Sequence, residues 1–190
     1  MKNIYFTADT HIGHEFIIKA CNRPFDSVIE MNETIISNWN SKVKPNDTIY
    51  HLGDFSYRCK NPYEYFARLN GRKILVKGNH DKKDVLKLPW EAIHKVVDDL
   101  FIDNILLYLC HYSHRVWHNS CHGSYHLFGH SHGKLLPYGF SFDVGVDAWG
   151  FKPVSWDEIK QKMATLSIEN HSEAHLLSDD QNSNKTSTTD

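Results

Sequence analysis

The chain has 190 residues, 41% hydrophobic and 13% aromatic, with 21 Lys and Arg against 23 Asp and Glu for a formal net charge of -2. That is the size and composition of a single soluble domain, with no apolar run near the roughly 20 residues needed to span a bilayer and no basic stripe for tracking duplex nucleic acid. The 4 cysteines form no Cys-x-x-Cys pair and are too sparse to staple a fold, and the first residues enter a strand-like run without the pattern of a secretory signal, so the cytoplasm is the expected compartment.

Residues 4–8 read as a short buried strand that ends on Asp9-Thr10-His11. Over 27–43, Val28, Met31, Ile35, Ile36, Trp39 and Val43 have the spacing of an amphipathic helix, with Asp26 or Ser27 to cap it. A second strand over 47–52 delivers Gly53-Asp54. Asn61-Pro62 opens a helix carrying Tyr65, Phe66 and Leu69, and Gly71 closes it. A third strand over 73–77 delivers Gly78-Asn79-His80-Asp81 and leads to a short helix near 82–88.

The runs 93–100 and 105–110, separated by Asp103-Asn104, predict a hairpin whose second strand delivers His111. Strands over 125–128 and 140–146 flank Gly129-His130-Ser131-His132. Ser155 with Glu158 forms a capping box for a last helix running to about residue 166. From residue 168 the composition turns to Ser, Asn, Asp and Thr, so 1–167 is expected to be the folded domain and 168–190 a polar, disordered tail. There is no internal repeat.

Strands and helices alternate in the first half and strands dominate the second, which predicts an α/β layered domain around a mixed sheet. In such sheets ligands bind beyond the carboxyl ends of the strands, where all five polar clusters fall. Carboxylate, imidazole and amide donors suit borderline divalent ions, with manganese favoured and iron, nickel or zinc also accommodated. Glycine before Asp54, Asn79 and His130 permits the tight turns that swing each ligand inward. Two ions about 3.5–4 Å apart would share a hydroxide, polarise a phosphoryl group and clamp the attacking and leaving oxygens. His80 is then expected to protonate or stabilise the leaving oxygen, with Asp81 orienting its ring.

The order of these motifs resembles the calcineurin-like metallophosphoesterases over roughly residues 1–166. The resemblance implies a four-layer α/β/β/α sandwich of two mixed sheets flanked by helices. It also implies that Asp9, His11, Asp54 and His132 hold one ion and Asp54, Asn79, His111 and His130 the other, with Asp54 bridging and His80 catalytic. The compact chain is more similar to the small bacterial and phage phosphoesterases than to purple acid phosphatases. The fourth cluster departs from a plain His-Gly: it reads Cys110-His111-Tyr112-Ser113-His114. His111 is preferred over His114 because it follows the strand directly, which leaves His114 to support a ligand from behind.

His114, His118, His122, His126 and His130 recur every four residues, yet Gly123, Gly129, the Asn119-Ser120 turn and the 125–128 strand argue against a histidine-rich metal-buffering helix. His118 and His126 read as surface or packing residues and His122 as a candidate for the rim of the site. The substrate-binding candidates are His14, from the first loop, and Arg23, whose planar fork suits phosphate, although a solvated loop arginine explains Arg23 as well. Arg58 and Arg115 are weaker candidates. Asp143 and Asp147 serve either to support the metal histidines or to make turns.

The expected function is dinuclear-metal hydrolysis of phosphate esters, a phosphodiesterase on small or nucleotide-like substrates ahead of a nuclease or a phosphomonoesterase. Nucleic acid is a less favoured partner, because clustered Lys and Arg are absent. A non-catalytic scaffold of the same fold is the alternative of another class, disfavoured because His80 and every ligand are present. Turnover lost in His80→Ala would separate an enzyme from a scaffold.

Overall fold

In the computed structural model, which describes residues 2–167, the chain runs β1 (Ile4–Thr7), α1 (Glu15–Ala20), α2 (Val28–Lys42), β2 (Thr48–His51), α3 (Pro62–Arg68), β3 (Arg72–Val76), α4 (Lys83–Leu86), β4 (Ala92–His94), β5 (Val96–Ile102), β6 (Ile105–Cys110), β7 (Tyr125–Phe128), β8 (Ser141–Asp143), β9 (Val154–Ser155) and α5 (Trp156–Met163). The expected tail over 168–190 lies outside the described residues. One sheet has the order β4-β3-β2-β1-β9 and the other β5-β6-β7-β8. Both are mixed: β9 runs antiparallel on β1, and β5 antiparallel on β6, among otherwise parallel neighbours.

The alternation of side chains along β1 divides the molecule into layers. Tyr5 faces a core shared with Met31, Ile35 and Trp39 of α2 and Phe66 of α3. Phe6 faces the opposite core, where Leu107, Leu109, Leu127 and Phe142 of the second sheet meet Trp156, Ile159 and Met163 of α5. Each fully buried side chain of this size contributes about 1.5–3 kcal/mol, so the inter-sheet layer holds the two sheets in register. The expected architecture of two mixed sheets with flanking helices is what the structure shows. On the outer face of the second sheet the cover is the 112–124 segment with its 3-10 turn, Ser120–His122, anchored by the buried Trp117.

Local chemistry explains the element ends. Ser27, not Asp26, caps α2, its side chain accepting from the Glu30 amide, and Ser155 with Glu158 closes the capping box of α5. Asp103 and Asn104 both take positive φ, 50° and 64°, the turn that matches strand twist in a two-residue hairpin. The run read as one strand from residue 93 is divided. β4 belongs to the first sheet and β5 to the second, so the chain changes sheet at Lys95. The strand expected over 140–146 is only β8, and α5 ends at Met163. Neither α1 nor β9 was anticipated, being too short to show a period. Among the described residues no helix is long and apolar enough to cross a membrane.

Candidate metal centre

Beyond the strand ends the loops continue the pairing of the sheets. The Asp9 amide donates to Gly53 O at 3.0 Å, His11 to Asp54 O at 3.0 Å and Ile12 to Phe55 O at 2.9 Å. The Gly129 amide reaches His111 O at 3.0 Å, and Val146 reaches Ala8 O at 3.0 Å. The loops after β1 and β2 are thereby joined, as are those after β6 and β7, and the loop after β3 joins the first pair through Asp81, which accepts from the amides of Asp54 and Phe55. Among the described residues three groups of donor atoms lie within 4.8 Å of one another: Asp9 with His11 and His132, Asp54 with His111 and His130, and Cys21 with His132 and Asp147, the last sharing His132 with the first. Asp54 stands between the first two, its Oδ2 lying 3.6 Å from His11 Nε2 and 3.6 Å from His111 Nε2. Asn79 Oδ1 is 3.0 Å from His111 Nε2.

In five of the seven candidate ligands, His111, His132, His11, Asp9 and Asp54, a neighbouring group occupies one side-chain atom and leaves another for the centre. His111 Nδ1 faces the Leu52 carbonyl at 2.8 Å. A carbonyl only accepts, so the proton sits on Nδ1 and the Nε2 lone pair points inward. His132 Nδ1 lies 2.7 Å from Asp147 Oδ2, and His11 Nδ1 lies 3.3 Å from His14 Nδ1. Asp9 Oδ2 accepts from the His130 amide at 2.8 Å and Asp54 Oδ1 from the His80 amide at 2.7 Å. Asp9 Oδ1 and His11 Nε2 are left buried without a hydrogen-bond partner. Orphans of this kind cost about 1–3 kcal/mol each, and two in one ligand group fit a cation. The oxygen and nitrogen donors suit manganese, iron, nickel or zinc.

Five of the seven candidate ligands hold a backbone that L-residues rarely adopt: φ is 57° at Asp9, 48° at His11, 58° at Asp54, 64° at His130 and 51° at His132. Strain of about 1–3 kcal/mol per residue persists only where surrounding contacts over-determine it. Gly78 is required by close approach, since a Cβ there would stand 2.6 Å from the Asp54 amide nitrogen.

Crowding of like groups shapes the electrostatics. Burial, then the carboxylates of Asp143 and Asp54, pushes the Asp9 carboxyl well above its ordinary range. Burial, then the Arg23 charge, pushes His11 well below its usual value, and burial followed by His111 lowers His130. Bound cations would relieve both effects, since ligation requires ionised carboxylates and neutral imidazoles.

The family model for calcineurin-like phosphoesterases matches residues 2–187. The chain belongs to that family. Gene 66 protein of Mycobacterium phage L5 is 30% identical over 195 residues, covering 84% of this chain and 93% of that one. An uncharacterized protein of Methanocaldococcus jannaschii is 47% identical over 85 residues, 43% of this chain, and the match spans 48% of the archaeal protein's length. A solved structure of a protein of unknown function from Aquifex aeolicus superposes with a TM-score of 0.70 at 27% identity, covering 85% of this chain and all of that one.

In this calcineurin-like phosphoesterase His80 reaches the mouth, its side chain 33% exposed and its Nε2 3.9 Å from Asp54 Oδ2. His14 is also at the mouth, 4.8 Å from the Tyr57 ring and 6.3 Å from His80, with Nδ1 turned to His11. Two expectations change. Asp81 does not orient the His80 ring: its carboxylate accepts from the amides of Asp54, Phe55 and Gly78 at 2.8–2.9 Å and ties two ligand loops together. Arg23 is no phosphate clamp, because its fork is spent inside the protein. Nε and Nη2 each donate to Asp147 at 2.8 Å, Nη2 also to Asp9 O at 2.7 Å, and Nη1 to Thr10 O at 3.2 Å.

Asp143, at the end of β8, and Asp147 in the loop beyond it act as supports, Asp147 on His132 and Asp143 on the turn around Ser131 and Gly133. His114 lies away from the ligands, against Cys110 Sγ and the rings of Tyr108 and His126. His122 borders a separate cavity with Phe101 and Asn104 instead of the rim of the site. His118 is exposed, its Nδ1 3.2 Å from the Asp98 carbonyl, whereas His126 is buried in the packing against the second sheet. Sequence reasoning missed three contributors. Tyr57 packs on His80 at 4.4 Å, Tyr112 packs on His111 and His130, and Thr10 anchors the first ligand loop by donating to Phe55 O at 2.7 Å beside the buried His51. Nothing in their local pattern marks them, since rim and core aromatics look alike in sequence and a threonine beside a ligand pair shows no partner 45 positions away.

Proposed function

We propose that this protein is a dinuclear-metal-dependent phosphoester hydrolase, a phosphodiesterase acting on small or nucleotide-like substrates, with manganese the favoured ion. The observation that carries this reading is Asp54 Oδ2, equally distant at 3.6 Å from His11 Nε2 and His111 Nε2, so that one carboxylate oxygen serves both ligand groups. Asp9, His11, Asp54 and His132 would hold one ion and Asp54, Asn79, His111 and His130 the other. Such ions would polarise the phosphoryl group and activate water for attack at neutral pH.

The chain's own residues supply positioning and the proton. The His80 amide is fixed on Asp54 Oδ1, and its imidazole belongs to neither ligand group while standing beside both. Tyr57 meets that ring edge to face at 64°. His80 is thus set to give its proton to the leaving oxygen, a role worth roughly 10²–10⁴ in rate. A dianionic monoester calls for a further fixed cation, and Arg23, the candidate for that task, is buried in an ion pair with Asp147. This favours the singly charged diester.

The test is hydrolysis of bis(p-nitrophenyl) phosphate and p-nitrophenyl phosphate by metal-stripped protein re-supplied in turn with manganese, nickel and zinc. Release is expected to depend on metal and to be faster from the diester; because p-nitrophenolate leaves without a proton, the roughly 10²–10⁴-fold loss in His80→Ala at unchanged metal content is expected on a diester with an alkoxide leaving group. Protein shown to carry two ions yet silent on both esters with every metal would sink the reading.

A further inference from the structure

Among the described residues, four of the ten large apolar side chains that remain exposed, Tyr112, Val116, Leu135 and Leu136, lie on the two loops that follow His111 and His132. Tyr112 is 45% exposed although the preceding residue, His111, is fully buried. Its ring stands at 70° to both the His111 and His130 rings, with centroids 5.0 and 4.8 Å away, and its hydroxyl is 3.5 Å from Asn79 Oδ1. It therefore rests on three candidate ligands of a single ion while staying open to solvent.

The loop that carries it is held firmly. The His114 amide donates to His126 Nε2 at 3.0 Å, Trp117 is buried, and the Arg115 guanidinium lies over the Tyr138 ring at 4.6 Å, joining the two loops. A ring fixed before the substrate arrives loses little freedom on binding. Beside a phosphoryl site, such a ring matches the flat face of a base attached to that phosphate, and stacking of this kind changes affinity by roughly tenfold.

We propose that Tyr112 is a base-stacking residue and that the substrates of this site are nucleoside phosphodiesters. The inference rests on the phosphoesterase reading for the position of the phosphate. Binding and turnover separate the two. Titration calorimetry on the manganese-loaded protein compares thymidine 5′-monophosphate with methyl phosphate in wild type, Tyr112→Ala and Tyr112→Trp. Wild type is expected to bind the nucleotide at least roughly tenfold more tightly. Tyr112→Ala should bring the ratio of the two affinities to about one, methyl phosphate serving as the internal reference for any effect on the ligands the ring rests against, and Tyr112→Trp should retain the preference. No preference in wild type, or an equal loss on both ligands in Tyr112→Ala, overturns the proposal.

Release of p-nitrophenol from thymidine 5′-(p-nitrophenyl phosphate) and from methyl p-nitrophenyl phosphate completes the test. Nucleotide preference in binding without release from either ester would remove the phosphoesterase reading and leave the stacking residue in place. Release from both esters at equal kcat/KM would remove the stacking residue and leave the phosphoesterase.

Discussion

Asp147 sets the state of two other groups. Burial raises its carboxyl, but hydrogen bonds from His132 and Arg23 outweigh that, and it ends below the ordinary carboxylate range. It is therefore ionised at neutral pH, holds the His132 proton on Nδ1 and leaves Nε2 open to serve as a ligand atom. In Asp147→Asn, metal affinity is expected to fall roughly 10–100-fold, read by competition with a chromophoric chelator; unchanged affinity would mean that the Asp147 charge does not tune His132 as a ligand. The support given by Asp147 was legible in sequence as one of two readings. The partnership with Arg23 was not, because the two are 124 positions apart and an arginine's burial leaves no local pattern.

At the scale of elements, the ligand loops could be placed because each follows a short apolar run, the pattern of a strand buried on both faces. Their left-handed backbones could not, since Asp and His at those positions carry no Gly or Asn-Gly signal. The split of residues 92–102 between two sheets was equally hidden, because periodicity gives the face of a strand and not the sheet it joins. The cover of the second sheet depends on His126, whose Nδ1 is 3.1 Å from the Tyr108 carbonyl while Nε2 accepts the His114 amide. A second proton would set one N–H against another. Burial is the largest cause of its lowered pKa, about 4 against an ordinary 6.5. Between those values the unfolded chain binds the proton and the folded one does not, so stability is full above pH 6.5 and declines as pH falls toward 4. The loss attributable to this group is about 3 kcal/mol. Urea titrations across that window should show His126→Gln losing less stability on acidification than wild type, by about that amount; parallel curves would assign the acid sensitivity elsewhere.

For the whole molecule, the site is also the joint between two sheets, since Asp9, His11, Asp54 and Asn79 follow strands of the first sheet and His111, His130 and His132 follow strands of the second. Ions held there would add a cross-link to the inter-sheet core. Binding to the folded state alone stabilises by about 2.7 kcal/mol at a free ion concentration of 100 times Kd. For a chain of this size that corresponds to a Tm higher by roughly 5–10 °C, lost on chelation. Asp54→Asn gives the sharper result because its effect should change sign. Without metal the Asp54 charge works against the fold, being among the carboxylates that raise Asp9, and Asn can still accept the His80 amide. With metal the same charge would be the shared ligand. The variant is thus expected to melt at or above wild type in chelator and below it in manganese. A substitution that lowers Tm equally in both conditions would mean that Asp54 is held for its hydrogen bonds and not for a cation between the sheets.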